Sequence, residues 1–172
     1  NGQVTLKEVD VNMRIATFLQ QELIQDGFEV DLLEELDPRL EGYHALAVVS
    51  VHSDSCGWYG DWATGYQLQA APNTTHPELT ERLASCMRNR YYEGTGLLFL
   101  NTTSEHMQQY HAFEKFDPRT PSIIIETGFL LLDQKILVEE PEKIAAAIAA
   151  GIRCYAFNET IRTDIESGNE DN

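Results

Sequence analysis

The chain has 172 residues and a formal net charge of −16, long enough for one domain with a sizeable core and no need of staples. That charge argues against nucleic acid, whose phosphates ask for Lys and Arg, and against tight adsorption to anionic polymers or membrane surfaces. The sequence holds no apolar run of bilayer-spanning length and no signal-peptide pattern, which a mature exported protein would also lack.

In residues 10–26 the apolar side chains Val11, Ile15, Phe18, Leu19 and Leu23 form a helical stripe. Asp10 is the expected N-cap and Gly27 the stop. Residues 28–33 alternate like a strand, and Asp37-Pro38 opens a turn or short helix that runs to Gly42. Residues 45–51 read as a second strand, nearly continuous in apolar side chains, ending at His52.

A polar loop follows, and Trp58, Tyr59 and Trp62 then crowd the next few residues between glycines. Such aromatics are either a platform for a sugar or peptide or a satellite cluster that pins the loop; the second is the expectation. Residues 64–69 look like a third strand. Thr75-His76-Pro77-Glu78 reads as a capping box with Pro in the first turn, and its helix carries Leu79, Leu83, Met87 and Tyr91 to an end near Gly94.

Residues 97–100 suggest a further short strand. The polar segment after it holds His106 and His111. Five residues apart on a helix, they would point about 140° from one another, a poor metal pair. His44 is equally poor company for His52, because eight residues along a strand span about 26 Å. His76 and His106 are expected to be structural.

Ile123, Ile124 and Ile125 then read as a strand buried on both faces, ending abruptly in Glu126. An acid at the end of such a strand is either paired or working, because a lone buried charge is expensive. Pro141 opens the last helix, with Ile144, Ile148 and Ile152 at four-residue spacing. Strands alternating with helices imply an α/β fold: a single domain over residues 1–157, its mixed, mostly parallel sheet flanked by helices. The acidic residues 158–172 read as a tail or linker.

Cys56, Cys86 and Cys154 show no CxxC spacing, so they are not a zinc knuckle or a thioredoxin-type site. A Cys56–Cys86 bridge is open to the chain in an oxidising compartment. Asn73, Asn101 and Asn158 stand in Asn-x-Thr sequons, which matter only in a source that glycosylates.

Three pieces line up: Glu8 before the first helix, His52 ending one core strand and Glu126 ending another. Glu and His are zinc ligands, and a further Glu beside them suits a general base for an attacking water. The stretches Leu6-Lys7-Glu8-Val9-Asp10-Val11-Asn12, Val49-Ser50-Val51-His52 and Ile125-Glu126-Thr127-Gly128-Phe129-Leu130 resemble, in this order, motifs of the zinc-dependent N-acetylmuramoyl-L-alanine amidases of the amidase 3 family. The resemblance extends to about Phe157.

It implies a secreted, periplasmic or cell-wall-associated hydrolase. Its substrate would be peptidoglycan or a muropeptide, cut at the amide between N-acetylmuramic acid and L-alanine. It also implies zinc held by Glu8 and His52, with Glu126 as the catalytic glutamate that accepts the attacking water's proton. His111, Asp54 and Trp58 stand as candidates for contacting substrate or supporting the metal ligands. The family's Gly-His-Gly loop, with its first zinc ligand and the strand ahead of it, would precede Glu8 and is not in this sequence, so the expectation is a longer parent chain. Ser53-Asp54 and Leu131-Leu132 also depart from the residues the family usually has there. A catalytically silent wall-binding or regulatory module with the same fold is the alternative, and a zinc peptidase acting on another amide is a third reading.

Overall fold

The stripe of Val11, Ile15, Leu19 and Leu23 is the buried face of helix α1 (Glu8–Gln25). Strands β1 (Val48–Asp54) and β2 (Gln67–Ala70), helices α2 (Pro77–Thr95) and α3 (Glu105–Gln108), strand β3 (Ser122–Phe129) and helix α4 (Pro141–Ala156) follow in order. This computed structural model describes residues 7–54 and 57–161. The side chains of Glu105 and His106 lie outside the described set, as do Cys56 and residues 162–172.

The sheet order is β1-β3-β2, with β1 parallel and β2 antiparallel to β3. All eight residues of β3 are buried. Side chains alternate along a strand, so Ile123 and Ile125 enter one cluster with residues of α1, α2 and α4, and Ile124 enters a second with Leu40, Met107, Tyr110 and Phe113. A strand covered on both faces explains the unbroken apolar run. Among the described residues, no helix is long and apolar enough to cross a membrane.

Several local expectations are corrected. Helix α1 starts at Glu8 with Lys7 at the N-cap and no side-chain cap, which places Asp10 inside the first turn. Helix α2 is capped at His76 without a side-chain bond; Thr75 Oγ1 donates instead to the Pro118 carbonyl, and Thr74 Oγ1 accepts from the His76 N–H. Residues 97–100 contribute only an isolated bridge between Phe99 and Tyr66.

Residues 28–33 alternate as expected, and Phe28 and Val30 pack on the core. They are nevertheless not a strand, because among the described residues no ladder partner reaches their backbone. Strand β1 likewise pairs along one edge only. Both segments line the same groove, of about 1020 Å³, floored by Leu19 and Leu23.

Helices α2 and α4 pack unusually close. A Cβ on Gly94 would lie 2.7 Å from that of Ala147, and one on Gly151 would lie 2.8 Å from Met87 Sδ. Here the cysteine expectation is overturned, since Cys86 bonds to Cys154, with their Cα atoms 5.6 Å apart. Facing turns of two touching helices bring that pair together in space, which spacing along the chain could not reveal. Residues after α4 fold back on α2: Arg82 donates to the Glu159 carbonyl, and Arg90 donates to the Glu159 carboxylate at 3.1 Å and the Thr160 carbonyl at 3.0 Å.

The bridge closes a loop with a sequence separation of 68. Replacing both cysteines, Cys86→Ala with Cys154→Ala, should lower the unfolding free energy by about 4 kcal/mol, the chain-entropy value for a loop of that size. Urea denaturation under non-reducing conditions checks this; a wild-type midpoint in the double variant would contradict it.

Candidate functional site

Two side chains from neighbouring parallel strands make the centre of the site. His52 ends the regular part of β1 and is in register with Glu126 of β3. Gln67 of β2 is in register with Glu126 from the other side. Beyond this row the pairing slips, Asp54 matching Phe129, so β3 carries one extra residue just past Glu126. Bulges of this kind sharpen the local twist and re-aim side chains.

Glu8 reaches the row from the start of α1. Its Oε1 lies 3.2 Å from His52 Nδ1 and accepts from Asn12 Nδ2 at 3.0 Å. Ser53 Oγ donates to Asn12 Oδ1 at 2.8 Å and lies 2.9 Å from Thr127 Oγ1, which donates to the His52 carbonyl. Glu8 is thus tied through Asn12 and Ser53 to β3. On the other side of the imidazole, Tyr110 Oη stands 3.4 Å from Nε2, with its ring edge-on to His52.

Electrostatics separate the three ionisable groups. The His52 hydrogen bond, with Asn12 and the Ser53 N–H, holds the Glu8 carboxyl below its ordinary value despite partial burial. Burial pulls His52 down, but the Glu8 hydrogen bond and the charges of Glu126, Glu8 and Glu35 outweigh it and leave His52 raised. Glu126 goes the other way. Only 7% exposed, it is pushed by desolvation up to about 7, against the pull of His52, with Asp54 and Glu8 adding to the rise. Among the described residues, its buried Oε2 has no hydrogen-bond partner, and neither does Oε1 of Gln67 beside it.

No protein-family model matches the sequence, and no curated protein does. Solved structures do. The catalytic domain of CwlV, an N-acetylmuramoyl-L-alanine amidase from Bacillus (Paenibacillus) polymyxa var. colistinus, superposes with a TM-score of 0.67 at 21% identity, covering 91% of this chain and 90% of that one. The N-acetylmuramoyl-L-alanine amidase AmiC2 of Nostoc punctiforme gives 0.66 at 24% identity, covering 91% and 88%. The CwlD amidase from Clostridioides difficile, solved in complex with the GerS lipoprotein, gives 0.65 at 19%, covering 90% and 88%.

This chain has the N-acetylmuramoyl-L-alanine amidase fold.

On that amidase fold, Glu8, His52 and Glu126 meet at one end of the sheet, and Asp54 lies near enough to raise the Glu126 pKa. His111 meets Glu35 at 3.7 Å on the half-exposed rim, and its neighbour Tyr110 takes the inner place. Trp58 is 63% exposed. His44 binds Thr120 Oγ1 at 3.2 Å, and His76 lies 3.5 Å from Glu78, both as structural side chains. Sequence reasoning missed Gln67 and Tyr110. The polar Gln67 between apolar Tyr66 and Leu68 was a visible signal, whereas nothing local marks Tyr110.

The raised Glu126 has a thermodynamic consequence. Folding moves its pKa up from the ordinary 4.5, so the folded state favours the protonated acid. The resulting penalty is absent below pH 4.5, grows between there and about 7, and is complete above it. With bound metal chelated, Glu126→Gln should therefore be more stable than wild type at pH 8, by about 3 kcal/mol. The gap should close as pH falls towards 4.5 in urea titrations; an equal gap at both pH values would contradict the assignment.

Proposed function

We propose that this chain hydrolyses peptidoglycan, cutting the amide that joins N-acetylmuramic acid to L-alanine. The observation that carries this reading is the register pairing of His52 with Glu126, with Glu8 on the imidazole, within an amidase fold. The Cys86–Cys154 bridge supports an oxidising compartment, as expected of a protein acting at the cell wall.

Zinc is the proposed cofactor. Glu8 and His52 supply an oxygen and a nitrogen donor 3.2 Å apart, both of types that zinc takes. Two partnerless acceptor oxygens, on Glu126 and Gln67, lie buried in the same row of side chains. Among the described residues no group of three or more His, Cys, Asp and Glu side chains is placed to hold a metal ion. A catalytic zinc normally has three protein ligands, so the proposal takes one further donor from beyond the described residues. Bound there, zinc supplies Lewis-acid chemistry, polarising the scissile carbonyl and making a water acidic near neutrality.

The chain's own residues do the proton work. Glu126 takes a proton from the attacking water on Oε2, the oxygen with no other partner. It then gives that proton to the nitrogen of the departing alanine. A carboxyl with a pKa of about 7 is suited to both steps at neutral pH. Asn12 and Ser53 keep Glu8 turned towards His52, and Tyr110 fixes the imidazole from its other edge.

Glu126→Gln should lower muropeptide hydrolysis at least ~100-fold, the usual range for loss of a general acid–base, while zinc content per chain stays unchanged. His52→Ala should lose zinc and activity together. Chromatographic assay of released stem peptide, alongside elemental analysis, reads both. A Glu126→Gln protein that keeps wild-type turnover and its zinc ends this reading.

A further inference from the structure

Residues 57–63 leave β1 and return towards β2 beside the candidate active site. Trp58, Tyr59 and Trp62 in this loop are 63%, 53% and 63% exposed. The exposure of Trp58 and Trp62 departs from the sequence-based expectation of a satellite cluster pinning the loop. The loop is pinned by other means. Asp133, 6% exposed, accepts from Thr64 Oγ1 at 2.5 Å, from the Gly65 N–H at 3.0 Å and from the Phe129 N–H at 2.9 Å. Backbone bonds from Ala63 to Gly60 and from Thr64 to Trp62 tighten the turn.

Two indoles as exposed as Trp58 and Trp62 forgo about 25 cal/mol for every Å² they could have buried. A clustered patch of this kind marks a binding surface. Leu131 and Leu132, just past the end of β3, are each 40% exposed as well.

Trp62 is also held in place. Its ring meets Phe129 edge-to-face at 6.4 Å, on the strand that carries Glu126. On Gly60, which has a φ of +114°, a Cβ would come within 2.9 Å of the indole. The indole therefore rests on bare backbone. This is an oriented ring in an ordered loop at the end of the sheet where His52 and Glu126 sit.

We propose that this loop is a sugar-binding platform, on which Trp58 and Trp62 stack against the faces of neutral N-acetylated pyranose rings. The electron-rich indole face complements the weakly positive C–H face of a pyranose. The charge around it fits a neutral ligand: Asp54 and Asp61 flank the loop and the chain carries −16 overall, which repels anionic lipid and acidic peptide. The identity of the sugar rests on the peptidoglycan reading above; the platform itself rests on the exposed rings and their placement.

The test uses a β-1,4-linked N-acetylglucosamine hexamer, which has no peptide and no scissile amide, with the full chain. Calorimetry and tryptophan fluorescence should show binding by wild type. Trp58→Ala and Trp62→Ala should each weaken it about tenfold, as expected for loss of an aromatic contact. Gly60→Ala should weaken it too, by displacing the Trp62 ring without removing an aromatic. Phe157→Ala, which removes an equally exposed ring elsewhere, should leave binding unchanged, with circular dichroism confirming that every variant is folded.

No binding at millimolar hexamer, or equal loss in Phe157→Ala, overturns the platform. So does finding instead that the two tryptophan variants abolish self-association or vesicle binding. A wild-type chain that cuts muropeptides without binding the hexamer would remove the platform and leave the amidase reading. Hexamer binding without hydrolysis would do the reverse.

Discussion

Strand β3 lies between β1 and β2 with every side chain buried, so each residue on it must be matched by whatever packs above or below. Ile123 and Ile125 are met by the three long helices, and Ile124 by the short turns of the opposite face. The next residue in the Ile124 row is Glu126, for which no apolar match would serve. The sheet brings His52 and Gln67 alongside it by register alone, and α1 adds Glu8 from its first turn. The site is thus an outcome of how the central strand is covered, and its geometry is as rigid as the core beneath it.

Two buried carboxylates near the end of β3 receive opposite treatment. Asp133 is met by three donors and fastens the loop of residues 57–65 to the turn that follows β3. Glu126, almost equally buried, has an oxygen with no donor and a pKa displaced to about 7. A satisfied buried charge stabilises and specifies local structure. An unsatisfied one weakens the fold and persists where strain serves reactivity. The contrast marks Asp133 as architecture and sets Glu126 apart from it.

Much of this was legible in the residues, and the exceptions share a cause. The isoleucine run announced a doubly covered strand, and the acid and histidine ending two strands are residues that the sheet brings into register. What failed depended on partners far away in sequence. Alternation in residues 28–33 is a genuine pattern of half-burial, but a strand also needs a neighbour's backbone, which its own letters cannot specify. The bridge between Cys86 and Cys154 depends on helix packing made possible by Gly94 and Gly151. The aromatic loop was read as self-burying because three rings so close together usually are; the anchor that frees them, Asp133, lies about seventy residues further on. His111 drew attention as a spare imidazole, yet its less conspicuous neighbour Tyr110 reaches His52.

The covalent ring closed by Cys86 and Cys154 contains the second half of α2, α3, β3 and nearly all of α4, but not β1, β2 or α1. Glu126 is therefore inside the ring, and Glu8 and His52 are on the open arm of the chain. In the unfolded ensemble the cross-link restricts the part of the polypeptide bearing Glu126 and leaves the part bearing Glu8 and His52 free. Reduction would release the segment that carries Glu126 and leave the chain freedom of Glu8 and His52 unchanged, so redox state bears unequally on residues that the fold brings together.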